Sequence, residues 1–307
     1  MRYRDTGIYY NGPKTATFGY TLIAPLSTRT VYLVGMNGEA VHEWHLPNIP
    51  CSAVYLLPDG HLLWGGKLDD GPAFPGRGGL LQEFDWEGNL VWEYTDILHH
   101  HDFRRLANGN TVYIGWEAMT DDAQKRVGGG LPGTERDGVI YADFLKEVTP
   151  AGDIAWEWHA QTDMDIEKYP LCPACDRSIY AHANSVTPVG DDGFLVSFRR
   201  INTCAIIDKK TKKFSWEMRD DMWGHQHDAE ILPNGNITLF ANGDHRSTQH
   251  YARVIEIDRD TKKEVWEYLG SPYWTLDSWN LSGVQRLWSG NTLICEGQAG
   301  RVFEVEP

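Results

Sequence analysis

The chain has 307 residues, with 28 Lys and Arg against 43 Asp and Glu, a formal net charge of −15. That balance argues against a protein that grips nucleic-acid phosphates, which needs a basic surface. No apolar run approaches the length of a membrane span. Hydrophobic residues make up 41%, enough for a core, while 13 Trp and 31 Gly point to a turn-rich β architecture. The start, MRYRDTGIYYNG, lacks the charged-then-apolar pattern of a leader. A cytoplasmic protein is expected from the chain as written, and a periplasmic or secreted one if a leader has been removed. Five cysteines, spread over the length, do not resemble a disulfide scaffold.

Two phrases alternate along the chain. The first is a short β-like run, a turn, then an apolar-Trp-Glu-aromatic strand. The second is a polar start, an alternating run, an Asn-Gly or Asp-Gly turn and another apolar run. In order they read VYLVGMNGEAVHEW (31–44), SAVYLLPDGHLLWGG (52–66), LQEFDWEGNLVWEY (81–94), HDFRRLANGNTVYIG (101–115) and FLKEVTPAGDIAWEW (144–158). They continue as HANSVTPVGDDGFLVSF (182–198), CAIIDKKTKKFSWEM (204–218), HDAEILPNGNITLFANG (227–243), RVIEIDRDTKKEVWEY (253–268) and SGVQRLWSGNTLICEG (282–297). The Asn-Gly and Asp-Gly steps are hairpin signals, because both turn residues must accept positive φ.

One phrase of each kind makes four antiparallel strands, repeated every ~40–55 residues, the signature of a β-propeller. Six blades are expected, in a single domain over 1–307. TLIAP followed by VYLVG (21–35) matches the C-terminal TLICEG and RVFEVEP, so the chain begins in mid-blade. Residues 14–20 are expected to supply the inner strand of blade 1. Residues 7–11 are expected to close the ring by pairing beside 301–305 in blade 6. Two insertions in blade 3, over 116–143 and 159–181, are long enough to be functional or partner-facing.

The residue opening the innermost strand is Ser52, His101, His182, His227 and Ser282 in successive blades. Inner strands line a propeller's channel, so three imidazoles are expected at one mouth, where they could serve as acid, base, nucleophile or metal ligand. The plainer alternative is that they only close strands by hydrogen-bonding nearby loops. Asn184 follows His182 on the same strand face, and Arg199 should return beside His182 with a forked cation suited to an anion. An isolated surface ion pair is its plainer reading. Lys67, Glu117, Asn242, His245, Arg246 and Glu296 fall near the same rim as candidate substrate contacts. His100 should face away from the channel, and His225 lies in a loop. Cys172 and Cys175 have the spacing of half a zinc site or a redox pair. With no second Cys-x-x-Cys, a structural or lone-pair role is favoured.

G-x-x-V-H-E-W (38–44), HHDFRRLANGN (100–110), HANSV…VSFR (182–199) and QHDAEILPNGN (226–236) resemble the arylsulfotransferase propeller family from about residue 20 onward. The resemblance implies a six-bladed propeller whose funnel moves a sulfuryl group from an aryl sulfate ester to a phenol, without a nucleotide donor. It implies His227 as nucleophile, His101, His182 and Asn184 on the sulfuryl oxygens, and Arg199 neutralising charge. The expected partner is a small aromatic or anionic molecule, with no nucleic acid, no membrane and no cofactor; the oligomeric state is left open. The alternative is a metal-dependent lyase acting on a carboxylate substrate, with a divalent metal on His101, His182, His227 and Gln226 or Glu117. A third reading is a non-catalytic binding propeller.

Overall fold

Alternating runs bury one face per strand, and a blade is complete only when its neighbours cover both faces. The computed structural model describes residues 7, 8, 12 and 14–307, and the runs become antiparallel sheets in a six-bladed β-propeller. Blade 1 holds β1 (Thr21–Ile23), β2 (Thr30–Val34) and β3 (Ala40–His45). Blade 2 holds β4 (Pro50–Leu56), β5 (Leu62–Lys67), β6 (Gly79–Phe84) and β7 (Leu90–Thr95). Blade 3 begins with β8 (His99–Arg105) and β9 (Thr111–Ala118). After a first insertion with α1 (Asp121–Arg126) and β10 (Gly129–Leu131), it ends with β11 (Tyr141–Val148) and β12 (Ile154–His159). A second insertion carries α2 (Ala160–Asp163) and β13 (Leu171–Asp176). Blade 4 holds β14 (Ala183–Val189), β15 (Gly193–Phe198), β16 (Thr203–Asp208) and β17 (Phe214–Arg219). Blade 5 holds β18 (His227–Ile231), β19 (Ile237–Ala241), β20 (Arg253–Asp258) and β21 (Lys263–Leu269). Blade 6 holds β22 (Ser282–Arg286), β23 (Thr292–Glu296) and β24 (Arg301–Val305). Gly109 and Gly235 take positive φ in the Asn-Gly turns, where a Cβ would be strained.

The chain divides into two compact units. One runs to His99 and takes in Leu287–Thr292 and Glu304–Pro307; the other is His100–Arg286 with Leu293–Phe303. The first has a core around Val31, Trp44, Trp64 and Phe84. The second has two, one around Ile114, Trp158, Phe198 and Tyr180, the other around Trp223, Leu239 and Ile255. Outer-strand tryptophans tie blades together: the indole N–H of Trp44 donates to Asp85 O, Trp156 to Lys209 O and Trp216 to Arg259 O, at 3.0, 2.8 and 2.8 Å. Inner strands are stitched by side chains instead. Val186 N donates to Asp102 Oδ2 and Val284 N to Asp228 Oδ2, at 2.8 and 2.7 Å.

The end blades differ from expectation. Residues 14–20 form no strand, because Thr15 N and Ala16 N both donate to Gly12 O and curl the chain. Blade 1 therefore has three strands among the described residues, as does blade 6. Within the first unit the two ends do meet: Thr17 N donates to Glu304 Oε1 and Asn291 Nδ2 to Thr15 O, both at 2.7 Å. Of the segment expected to pair beside 301–305, Ile8 packs on Gly38 in the β2–β3 turn, and residues 9–11 lie outside the described residues.

The insertions fold on each other. β10 pairs parallel with β13, and Arg126 grips both carboxylate oxygens of Glu167 at 2.6 and 2.7 Å. The free span of the first is shorter than the sequence suggested, since β9 runs on to Ala118 and β11 starts at Tyr141. Among the described residues no helix is long and apolar enough to cross a membrane.

Candidate active site at the inner-strand starts

The second unit brings the blade 3, 4 and 5 candidates into one linked neighbourhood. His101 and His182 lie edge to face, with ring centroids 4.8 Å apart. Both adopt left-handed backbone, at φ 54° and 58°, whereas in blade 5 the left-handed residue is Asp228, one place after His227. The three histidines thus differ in backbone conformation. His101 lies within β8, His182 immediately precedes β14, and His227 opens β18, where it pairs with Phe240.

Arg199 returns to His182 as the strand geometry requires: its backbone N–H donates to His182 O at 3.0 Å. Its guanidinium is largely buried and faces Asp244 Oδ2 at 3.4 Å. Burial lowers its pKa, but a guanidinium starts so high that it stays a cation. Burial first, and then the charge of Arg199 among others, holds both His182 and His227 below the usual imidazole range; His227 falls to about 3. Both rings are therefore neutral near pH 7.

The tautomer of His227 is set by its neighbours. Nδ1 lies 2.8 Å from Asn242 Oδ1 and 3.1 Å from His225 O, and both are acceptors, so Nδ1 carries the proton and Nε2 the lone pair. Asn242 cannot turn its amide round, because its Nδ2 donates to Ser278 O and to Ser282 Oγ at 2.5 and 3.0 Å. Asn184 reaches the same strand start, with Nδ2 donating to Gln226 O at 2.8 Å. Among the described residues, His182 Nδ1 and Asn184 Oδ1 are buried without a hydrogen-bond partner. Buried polar atoms of this kind are uncommon and mark places where a ligand can bind.

Other candidates are engaged elsewhere. Glu117 pairs with His159 Nδ1 at 3.0 Å. Arg246 donates to Gln249 O and Tyr251 O and stacks on the Tyr251 ring. Lys67 belongs to the first unit, ending β5, with its backbone bonded to Ile49 and Asn48. Glu296 binds Arg301 at 2.7 Å. Gln226 points its amide nitrogen into blade 4, onto Ser197 Oγ, Phe198 O and Thr203 O. The groups of three or more potential metal ligands found among the described residues do not include His101, His182 and His227 together.

Sequence reading missed a supporting pair. His100 is fully buried and stacked on Trp116 at 3.9 Å, with Nδ1 2.8 Å from His101 Nδ1 and Nε2 3.3 Å from Asp143 Oδ1. Asp143 Oδ2 accepts from Ala183 N, beside His182. Burial pushes the Asp143 carboxyl up to about 8 and His100 well down. The only signal was an Asp set between Ala142 and Phe144 in the buried stretch of β11. His245, expected as a substrate contact, lies instead with Cys172, Cys175 and His225, four residues whose ligand atoms sit within 4.8 Å of one another.

A six-bladed propeller with neutral histidines and a buried arginine at the inner-strand starts defines the class. A model of the family described as arylsulfotransferase (ASST) matches residues 54–307, and the chain belongs to that family. No curated protein matches the sequence. Among solved structures, a protein of unknown function from Bacteroides caccae is similar at 12% identity and TM-score 0.61, over 93% of this chain and 89% of that one. A streptogramin B lyase is similar at 12% identity and TM-score 0.52, over 94% and 80%. A catalytically inactive variant of virginiamycin B lyase from Staphylococcus aureus, with quinupristin, is similar at 10% identity and TM-score 0.53, over 98% and 87%. At these identities the likeness is one of fold.

Proposed function

We propose that this arylsulfotransferase-family protein moves a sulfuryl group from an aryl sulfate ester to a phenol through His227. The observation that carries the reading is the fixed tautomer: Asn242 and the His225 carbonyl hold the Nδ1 proton, which leaves the Nε2 lone pair to attack. In the first half-reaction the Nε2–S bond forms, and the S–O bond to the aryl group breaks. The aryl oxide leaves with the electron pair. The positive charge that develops on the imidazole is met by Asn242 Oδ1. Arg199, with N–H groups of His101 and His182, stabilises the negative charge on the equatorial oxygens, the same electrostatic logic as phosphoryl transfer. In the second half-reaction a phenol oxygen attacks sulfur, the S–N bond breaks, and the phenol proton leaves with the departed aryl oxide or with solvent.

The test offers a chromogenic aryl sulfate with a phenol acceptor, and follows the intact mass of the protein after mixing with donor alone. The expected result is a sulfuryl adduct that maps to His227, is consumed by the phenol and is absent from His227→Ala. Transfer undiminished in His227→Ala would overturn the reading. So would products of elimination in place of a sulfated acceptor, which would favour the lyase alternative.

A further inference from the structure

The cysteines of CPAC and two histidines whose side chains take no part in the transfer chemistry form a second cluster. Cys172 and Cys175 come from β13, His225 from the turn before β18 and His245 from the loop after β19. Cys175 Sγ lies 3.5 Å from His225 Nε2 and 3.9 Å from His245 Nδ1, and Cys172 Sγ lies 3.7 Å from His245 Nδ1. A tetrahedral zinc with Zn–S near ~2.3 Å and Zn–N near ~2.0–2.1 Å has S···N edges of ~3.6 Å. The observed edges bracket that value. Four ligand atoms from three separate segments converge within 4.8 Å of one another, as a tetrahedral site requires.

The surroundings carry the same mark. The second ring nitrogen of His225, Nδ1, faces Asp244 Oδ2 at 3.3 Å. A carboxylate behind a ligating imidazole is the usual way to fix its tautomer. The two histidine-bearing loops are bonded together: Gly243 N donates to Trp223 O and Asp244 N to Gly224 O, both at 2.9 Å. The contact is so close that a Cβ on Gly224 would come within 2.5 Å of Gly243 C. His225 and His245 themselves hold left-handed backbone, at φ 64° and 56°. On the other side, Arg200 clasps the Asp176 carboxylate at 2.7 Å and anchors the end of β13. Three of the four side chains are buried and His245 is at the surface, which leaves a path for a metal to enter.

We propose that Cys172, Cys175, His225 and His245 bind one Zn²⁺ as a closed structural site. Binding releases the two thiol protons, and a dication with two thiolates and two neutral imidazoles has no net charge. Four protein ligands leave no open position, so the metal acts as a clamp rather than a Lewis acid. It ties the second insertion to the rim, through groups that touch the candidate active site: His225 O accepts from His227, and Asp244 pairs with Arg199. The insertion is thereby a strap that fixes the partners of two rim residues.

The test uses the full chain, untagged and purified under reducing conditions without chelator. Elemental analysis is expected to find one zinc per chain. Stripping with a chelator should lower the Tm by several degrees, and Zn²⁺ should restore it. Loading the stripped protein with Co²⁺ should give tetrahedral d–d bands and a thiolate-to-cobalt charge-transfer band. His245→Ala alters only the exposed ligand; it should keep the wild-type circular dichroism and weaken zinc binding at least ~10-fold. Substoichiometric metal, a Co²⁺ spectrum without the thiolate band, wild-type zinc affinity in His245→Ala, or a Cys172–Cys175 disulfide in the freshly purified protein would each overturn the proposal. None of these readouts depends on sulfuryl transfer, so the zinc site and the proposed function stand or fall separately.

Discussion

In the outer strands Trp44, Trp156 and Trp216 do one job three times, each donating its indole N–H to a carbonyl in the turn of the following blade. At the inner-strand starts, His101, His182 and His227 sit in three different settings. One ring nitrogen of His101 meets His100, one of His182 has no partner among the described residues, and one of His227 is held by Asn242. The repeat is kept where blades must pack and lost at the rim where we propose that the substrate binds. Identical neighbours specify a fold, while the proposed chemistry at a single sulfur atom needs unlike groups around it.

The largest way to break that comparison is through the packing. Trp158, fully buried against Phe198 and Phe214, should cost about 3–5 kcal/mol when changed to Ala. Chemical denaturation would show it, with any loss of transfer following the loss of fold. The rim should behave in the opposite way. Arg199→Ala is expected to lower kcat by about 10²–10³-fold, as for removal of one transition-state donor. The Tm should change little beyond the lost Asp244 contact, and Arg199→Lys should recover only part of the rate, since an ammonium lacks the fork. Steady-state kinetics beside thermal melts separate the two outcomes; a Tm loss equal to that of Trp158→Ala would make Arg199 a packing residue.

Asp143 tests the boundary between the two regions. Its carboxyl is raised by burial to about 8, with Arg200 and Glu117 acting on it in opposite senses. Between its ordinary value near 4 and that figure the folded state holds a proton that the unfolded chain has released. Stability is therefore present at low pH and lost as pH rises, by up to ~1.4 kcal/mol per pH unit. His100 and His182 are held low, so they act in the other direction: below about pH 6.5 the unfolded chain takes up protons that the fold refuses. Asp143→Asn keeps an acceptor for Ala183 N and removes only the alkaline loss. The Tm of the variant minus that of the wild type should rise steadily from pH 5 to pH 8. A flat difference would mean that Asp143 is charged and paired with His100.

The blades were legible because Trp-Glu phrases and Asn-Gly turns are local signals, repeated at nearly constant spacing. The end blades were not, since residues 14–20 also look like a strand until Gly12 O captures two of their N–H groups. Of the rim, the return of Arg199 to His182 follows from hairpin geometry and could be read directly. The role of Asn242 could not, because it depends on Ser278 and Ser282, which lie one blade on. The Cys–His cluster was half visible: CPAC gives the spacing, but its histidines stand 50 and 70 residues beyond Cys175, and no periodicity links an insertion to a rim loop.

The smallest effect expected is in the outer clamp itself. Trp216→Phe keeps an aromatic ring between Lys262 and the blade 4 core and removes only the N–H that meets Arg259 O at 2.8 Å. A net hydrogen bond contributes about 0.5–1.5 kcal/mol, and the carbonyl left behind is half-buried, so water can replace the lost donor. The loss should fall at the low end of that range, with transfer kinetics unchanged, because Trp216 belongs to the outer strand β17 rather than to the inner-strand starts. Hydrogen exchange of β17 and of the β20–β21 turn should nevertheless quicken together. If only β17 responded, the indole would be stabilising its own strand rather than joining two blades, and the contrast between a repeated outer clamp and an individual inner rim would lose its physical basis.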